Sequence, residues 1–165
     1  MKPEVRGESA VTIEPQRWAA LVDGRECPFC KPMPDDSPYS LKIARLSCST
    51  LWLEKDQRFR GYCVLILDRH ATELTQLEPD VAEAFYRDLL RATRAVETAM
   101  RPDKMNICLL GNTVPHLHWH ITPRYVGDPR WNQPHWADWD RRAEVAVRLP
   151  EAEYARIAGQ IRAAL

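Results

Sequence analysis

Three of the five histidines fall within five residues, His116-Leu117-His118-Trp119-His120. On a strand, positions i, i+2 and i+4 share a face. An extended backbone would therefore set three imidazoles in a row and turn Leu117, Trp119 and Ile121 to the other side. Two chemistries suit such a row. Histidines on one strand can chelate zinc or iron, although a hydrolytic metal site usually adds a carboxylate, and the first one after the motif is Asp128. Alternatively, a neutral imidazole attacks an activated phosphorus and later leaves from a labile phosphoramidate, while neighbouring imidazoles and amides stabilise the developing charge. Gly111-Asn112-Thr113, just ahead of the row, offers backbone N–H groups, an amide and a hydroxyl suited to cradling a phosphate.

Cys27-Pro28-Phe29-Cys30 is a second candidate. With no second CxxC, an all-cysteine zinc site is disfavoured. A redox pair would normally follow a strand, which the polar residues before Cys27 do not supply. Two further ligands would have to be histidines, and His70 and His116, each at the edge of an apolar run, complete a two-cysteine, two-histidine structural zinc set. Cys48, Cys63 and Cys108 sit in or beside apolar runs and read as core thiols.

The elements that must position these groups are legible. A short helix is expected at Pro15–Val22, ahead of a proline-broken loop over 31–38. Alternation over 41–45 and the apolar 51–53 predict two strands. The continuous apolar run 61–67 predicts a central strand buried on both faces. A short helix is expected at 72–77. Val81, Phe85, Leu89 and Val96 recur at helical spacing over Pro79–Met100. Strands over 104–110 and 117–122, a loop over 123–140 and a helix over 150–165 complete the chain. Strands, helix, strands, helix with short connections favour an α+β fold with an antiparallel sheet.

Composition narrows the function classes. Lys plus Arg and Asp plus Glu are both 23, a formal net charge of zero. No long-range field then favours a polyanion, which argues against a general nucleic-acid binder and leaves room for a small nucleotide. No apolar run reaches the length of a membrane span and residues 1–10 lack a signal-peptide core, so no membrane association and a cytoplasmic location are expected. Residues 1–25 read as an N-terminal extension and 26–165 as one domain. Trp131, Trp136 and Trp139, with His135, make 126–140 a tryptophan-rich loop that either covers an interface or walls the site for a stacked base. Arg124 and Arg130 are candidates for distal phosphates.

Residues 111–125, Gly-Asn-Thr-Val-Pro-His-Leu-His-Trp-His-Ile-Thr-Pro-Arg-Tyr, resemble the signature of the histidine-triad (HIT) superfamily of nucleotide hydrolases and transferases. Residues 61–70 resemble the family's glycine-to-histidine strand, and the helix from Pro79 its long helix. The resemblance spans about residues 27–136. It implies a sheet of about five antiparallel strands with one long helix, followed here by a C-terminal helix. It implies that His118 is the nucleophile, forming a nucleotidyl intermediate at an α-phosphate, and that His120 hydrogen-bonds phosphate oxygens. Thr113 stands where the family has a hydroxyl that assists the leaving group. Gly111 and Asn112, the latter a shorter amide than the commoner Gln, fall in the phosphate cradle. Asn106 lies near a phosphate-facing Asn, and Glu54 near a ribose-binding acid. Cys27, Cys30, His70 and His116 match the structural zinc ligands of a zinc-bearing branch that includes diadenosine polyphosphate hydrolases. The implied partners are a nucleotide substrate and a second copy of the chain. The rival readings are a zinc-stabilised nucleotide-binding scaffold, a phosphorylase, and a metallohydrolase in which all three histidines bind metal.

Overall fold

The computed structural model describes residues 13–128, 130–134, 136–137 and 146–165. Five strands, β1 (Ser40–Arg45), β2 (Ser49–Glu54), β3 (Cys63–Leu67), β4 (Lys104–Leu109) and β5 (His118–Arg124), form one antiparallel sheet in the order β1-β2-β3-β5-β4. Helix α1 is Pro15–Val22, α2 is Pro79–Met100 and α3 is Glu151–Ala163. The α+β fold expected from the order of elements is the one observed.

The side-chain period of two divides the sheet into unlike faces. Leu51, Leu53, Leu65, Leu67 and Ile121 point one way and join Phe85, Leu89 and Val96 of α2 and Tyr154, Ile157 and Ile161 of α3 in the main core. Trp52, Val64 and Ile66 point the other way and form a smaller cluster with Phe59 and Tyr62. On that second face the register sets Ile66 opposite His118 and Val64 opposite His120. Among the described residues no α-helix packs on that face, so the same pleat that buries the core on one side leaves the histidines facing a cavity on the other.

One α2 residue breaks the apolar stripe. Asp88 is 4% exposed and accepts hydrogen bonds from Ser47 N (3.2 Å), Ser47 Oγ (2.7 Å), Cys48 N (3.0 Å) and Ser49 Oγ (2.7 Å). It thereby satisfies the β1–β2 turn, whose polar groups would otherwise be buried unpaired.

Several bounds differ from expectation. The third strand begins at Cys63, because Gly61, at φ +84°, still belongs to the preceding turn. The expected helix over 72–77 is a single 3-10 turn, Leu74–Gln76. The last strand starts at His118 and runs through Pro123 and Arg124, which the sequence put in a loop. Proline is tolerated there because β3 stops pairing at Ile121, so residue 123 has only β4 as neighbour. His116 therefore precedes the strand rather than sharing its row. His135 and Trp139 of the tryptophan-rich loop lie outside the described residues.

Candidate functional site

His116 and His118 are two residues apart and face different chemistry. The His116 ring turns to the CxxC segment, with Nδ1 3.3 Å from Cys27 Sγ and 3.6 Å from Cys30 Sγ. His70 joins them, its Nδ1 3.2 Å from Cys30 Sγ and 3.2 Å from His116 Nδ1. The four ligand atoms all lie within 4.8 Å of one another. Tetrahedral zinc, with bonds of about 2.0–2.3 Å, separates its ligand atoms by roughly 3.3–3.8 Å, and four of the separations here, 3.2–3.6 Å, are close to that spacing. The tautomers agree. His70 Nε2 donates to the Val22 carbonyl (2.9 Å) and His116 Nε2 to the Leu67 carbonyl (2.8 Å), which leaves both Nδ1 lone pairs facing inward, the usual outer-shell arrangement of a metal-bound imidazole. His118 and His120 are not in this cluster, so the reading in which all three histidines bind one metal does not fit.

His118 lies on β5 and lines a cavity of about 970 Å³ on the open face of the sheet. Its Nδ1 donates to the carbonyl of His116 (2.5 Å), so Nε2 keeps its lone pair. Burial pushes the His118 pKa below the ordinary imidazole value, an effect the hydrogen bond to the His116 carbonyl opposes without cancelling. The lowered pKa favours the neutral imidazole at pH 7. The His120 ring is 4.8 Å from that of His118.

The cavity gathers most of the remaining candidates. Gly111, Asn112 and Thr113 line one wall, Glu54 stands at the end of β2 on the rim, and Trp52, Val64 and Ile66 make the apolar floor. The facing wall is the CxxC segment itself. Phe29, between the two cysteines, meets the His118 ring edge-on at 5.2 Å and the His116 ring at 5.6 Å. Trp136 and Arg148 reach the mouth.

Two of the candidates lie apart from the cavity lining. Asn106 is not among the cavity residues; it pairs with Thr122 across β4–β5 and its Oδ1 accepts from Arg124 Nη1 (2.9 Å). Arg124 does not line the cavity either. It is 2% exposed, ion-paired to Asp128 (2.7 Å), bonded to the carbonyls of Arg130 and Gln133, and stacked over Phe59. The guanidinium fastens the following loop to the end of the sheet.

Sequence reasoning missed two residues of this site. Phe29 was hidden inside a motif read only for its cysteines. Tyr62 was absorbed into an apolar run, yet its hydroxyl lies 2.5 Å from His120 Nδ1.

Comparison with known proteins agrees with this geometry. The family model described as "HIT domain" matches residues 39–127. "Protein hit" of Bacillus subtilis (strain 168) is 26% identical over 104 residues, 60% of this chain and 71% of that protein. A histidine triad (HIT) protein of Sinorhizobium meliloti 1021 superposes with a TM-score of 0.69 at 28% identity, covering 76% of this chain and 90% of that one. A zinc-bound histidine triad family protein of Mycobacterium smegmatis shares the fold at 23% identity with a TM-score of 0.59, over 85% of this chain and 93% of that one.

Proposed function

Since the chain belongs to the HIT domain family, we propose that it is a nucleotide hydrolase or nucleotidyl transferase that cleaves at an α-phosphate through His118. The observation that carries this is the His118 tautomer: Nδ1 is committed to the His116 carbonyl, and the nitrogen that remains has a lone pair. His118 Nε2 attacks the α-phosphorus in line with the leaving group. The N–P bond forms as the bond from phosphorus to the leaving oxygen or nitrogen breaks. Asn112, Thr113 and the backbone at Gly111 steady the phosphate, Thr113 beside the departing group, and Glu54 accepts ribose hydroxyls. Water, or phosphate in a phosphorylase, then displaces Nε2 from phosphorus and restores the imidazole. Dinucleoside polyphosphates, nucleoside phosphoramidates and adenylated small molecules fit this chemistry.

The convergence of the Cys27, Cys30, His70 and His116 ligand atoms within 4.8 Å of one another supports a structural zinc ion. Bound there, it supplies no chemistry to the substrate; it ties the CxxC segment to the sheet. A homodimer is supported by the edge strand β4 with Ile107 exposed and by Tyr86 and Leu90 on the outer side of α2. We place the enzyme in the cytoplasm.

The test is product analysis with diadenosine polyphosphates, adenosine phosphoramidate and adenylated lysine, with and without phosphate. Nucleoside monophosphate released by the wild type should fall about a thousand-fold or more in His118→Ala. Comparable turnover by that variant sinks the proposed nucleophile. Nucleotide bound but never turned over by the wild type would favour a binding scaffold.

A further inference from the structure

The Tyr62 hydroxyl is 2.5 Å from His120 Nδ1, both groups are buried, and the two rings lie nearly parallel, 14° apart at 6.0 Å between centroids. A neutral imidazole nitrogen is a better proton acceptor than a phenol oxygen, so the shared proton resides on Tyr62. Nδ1 is then the acceptor, and Nε2 must carry the N–H. We infer that Tyr62 is a positioning residue that holds His120 in the Nε2–H tautomer, as a hydrogen-bond donor to the phosphate undergoing transfer. The two catalytic histidines are thereby held in opposite tautomers. A peptide carbonyl withdraws the Nδ1 proton side of His118 and leaves a lone pair; a phenol occupies Nδ1 of His120 and leaves a donor. This inference rests on the nucleotidyl-transfer reading for its purpose, not for its geometry.

The backbone around Tyr62 is built to hold that hydroxyl. Gly61 takes the left-handed conformation and donates its N–H to Gln57 Oε1 (2.7 Å). Gln57 is 4% exposed, and its Nε2 also bonds the carbonyl of Glu54 (2.5 Å). Tyr62 itself donates N–H to the Phe59 carbonyl and accepts from Glu54 N–H, each at 3.0 Å. The turn that begins after the proposed ribose-binding acid, Glu54, therefore also fixes the phenol. Donors set in place before reaction are worth most in a site that excludes water.

The experiment is a long-range proton–nitrogen correlation spectrum of the full chain with nitrogen-15 histidine, free of nucleotide, beside steady-state kinetics of Tyr62→Phe. In the wild type, His120 should appear as a single Nε2–H tautomer and His118 as Nδ1–H. In Tyr62→Phe, the His120 signals should move toward a tautomer mixture while those of His118 stay. With the best substrate found, kcat should fall about ten- to thirty-fold with KM within two-fold. A wild-type His120 carrying its proton on Nδ1 overturns the inference, and that reading needs no variant to fold. So does an unchanged kcat in a folded Tyr62→Phe. If the tautomers are as assigned and no nucleotide is turned over, the assignment stands and the hydrolase reading falls.

Discussion

Removing the proposed zinc ion should unmake one wall of the cleft and leave the sheet folded. Residues 27–34 carry Phe29 and Met33 against the smaller apolar cluster. Holding eight residues in one backbone conformation costs about 8–16 kcal/mol. Phe29 and Met33 are only half-buried, and a fully buried side chain of their size contributes about 1.5–3 kcal/mol, so together they offset roughly 2–3 kcal/mol. The backbone hydrogen bonds at Cys27 and Cys30 run to Gly24 and Cys27 and do not tie the segment to the sheet; the contacts that do are those of the two thiols with His70 and His116. A structural zinc site contributes about 10–16 kcal/mol, enough to decide the balance. We expect one zinc per chain. On chelation, amides of 27–34 should lose hydrogen-exchange protection by at least a hundred-fold, while those of β3 and β5 keep theirs. Cys30→Ser should behave as the chelated protein. Protection over 27–34 that is indifferent to chelator, or a purified protein without metal that protects this segment equally well, would refute the reasoning.

Two further substitutions probe the scaffold. Asp88→Asn should cost about 2–4 kcal/mol at pH 7, since an amide presents its own N–H groups to a turn that offers four donors. Burial raises the Asp88 pKa, but the hydrogen bonds from Cys48, Ser49 and Ser47 outweigh it and hold the carboxyl below its usual range. Its contribution is therefore full above about pH 4 and is lost as pH falls through the lower folded value. Urea midpoints of wild type and variant should converge in acid; a gap unchanged between pH 7 and pH 2 contradicts the assignment. Gly61→Ala should destabilise by about 2–4 kcal/mol, from left-handed backbone strain and overpacking, because its Cβ would stand 2.6 Å from Met100 Cγ. A denaturation curve within 0.5 kcal/mol of wild type (roughly the scatter of neutral surface changes) would count against it.

What the sequence disclosed is what repeats over short distances. The His116–His120 alternation, the CxxC, the apolar period of α2 and the run into β3 are each written within a few residues, and periodicity reads them directly. Tyr62 and His120 are 58 residues apart, and Asp88 and Cys48 are 40 apart. Such pairings exist only through the sheet register and the packing of α2, so neither could be found along the chain. Arg124 misled because a guanidinium next to a triad suggests phosphate, whereas four of its five donors go to a carboxylate, an amide oxygen and two carbonyls. Pro123 misled because proline was taken as a strand breaker, and β5 simply outruns its neighbour there.

The His116 carbonyl that accepts from His118 has a chemical consequence of its own. In hydrolytic triads a carboxylate orients the imidazole and stabilises its cation, which makes the nitrogen more basic. A carbonyl orients with no full charge and raises the basicity too little to offset burial, so His118 remains a weak base. A weak base is a good leaving group. On the proposed mechanism, the nitrogen that bonds to phosphorus would therefore also be easily expelled, and the nucleotidyl intermediate would not persist as a stable phosphoramidate.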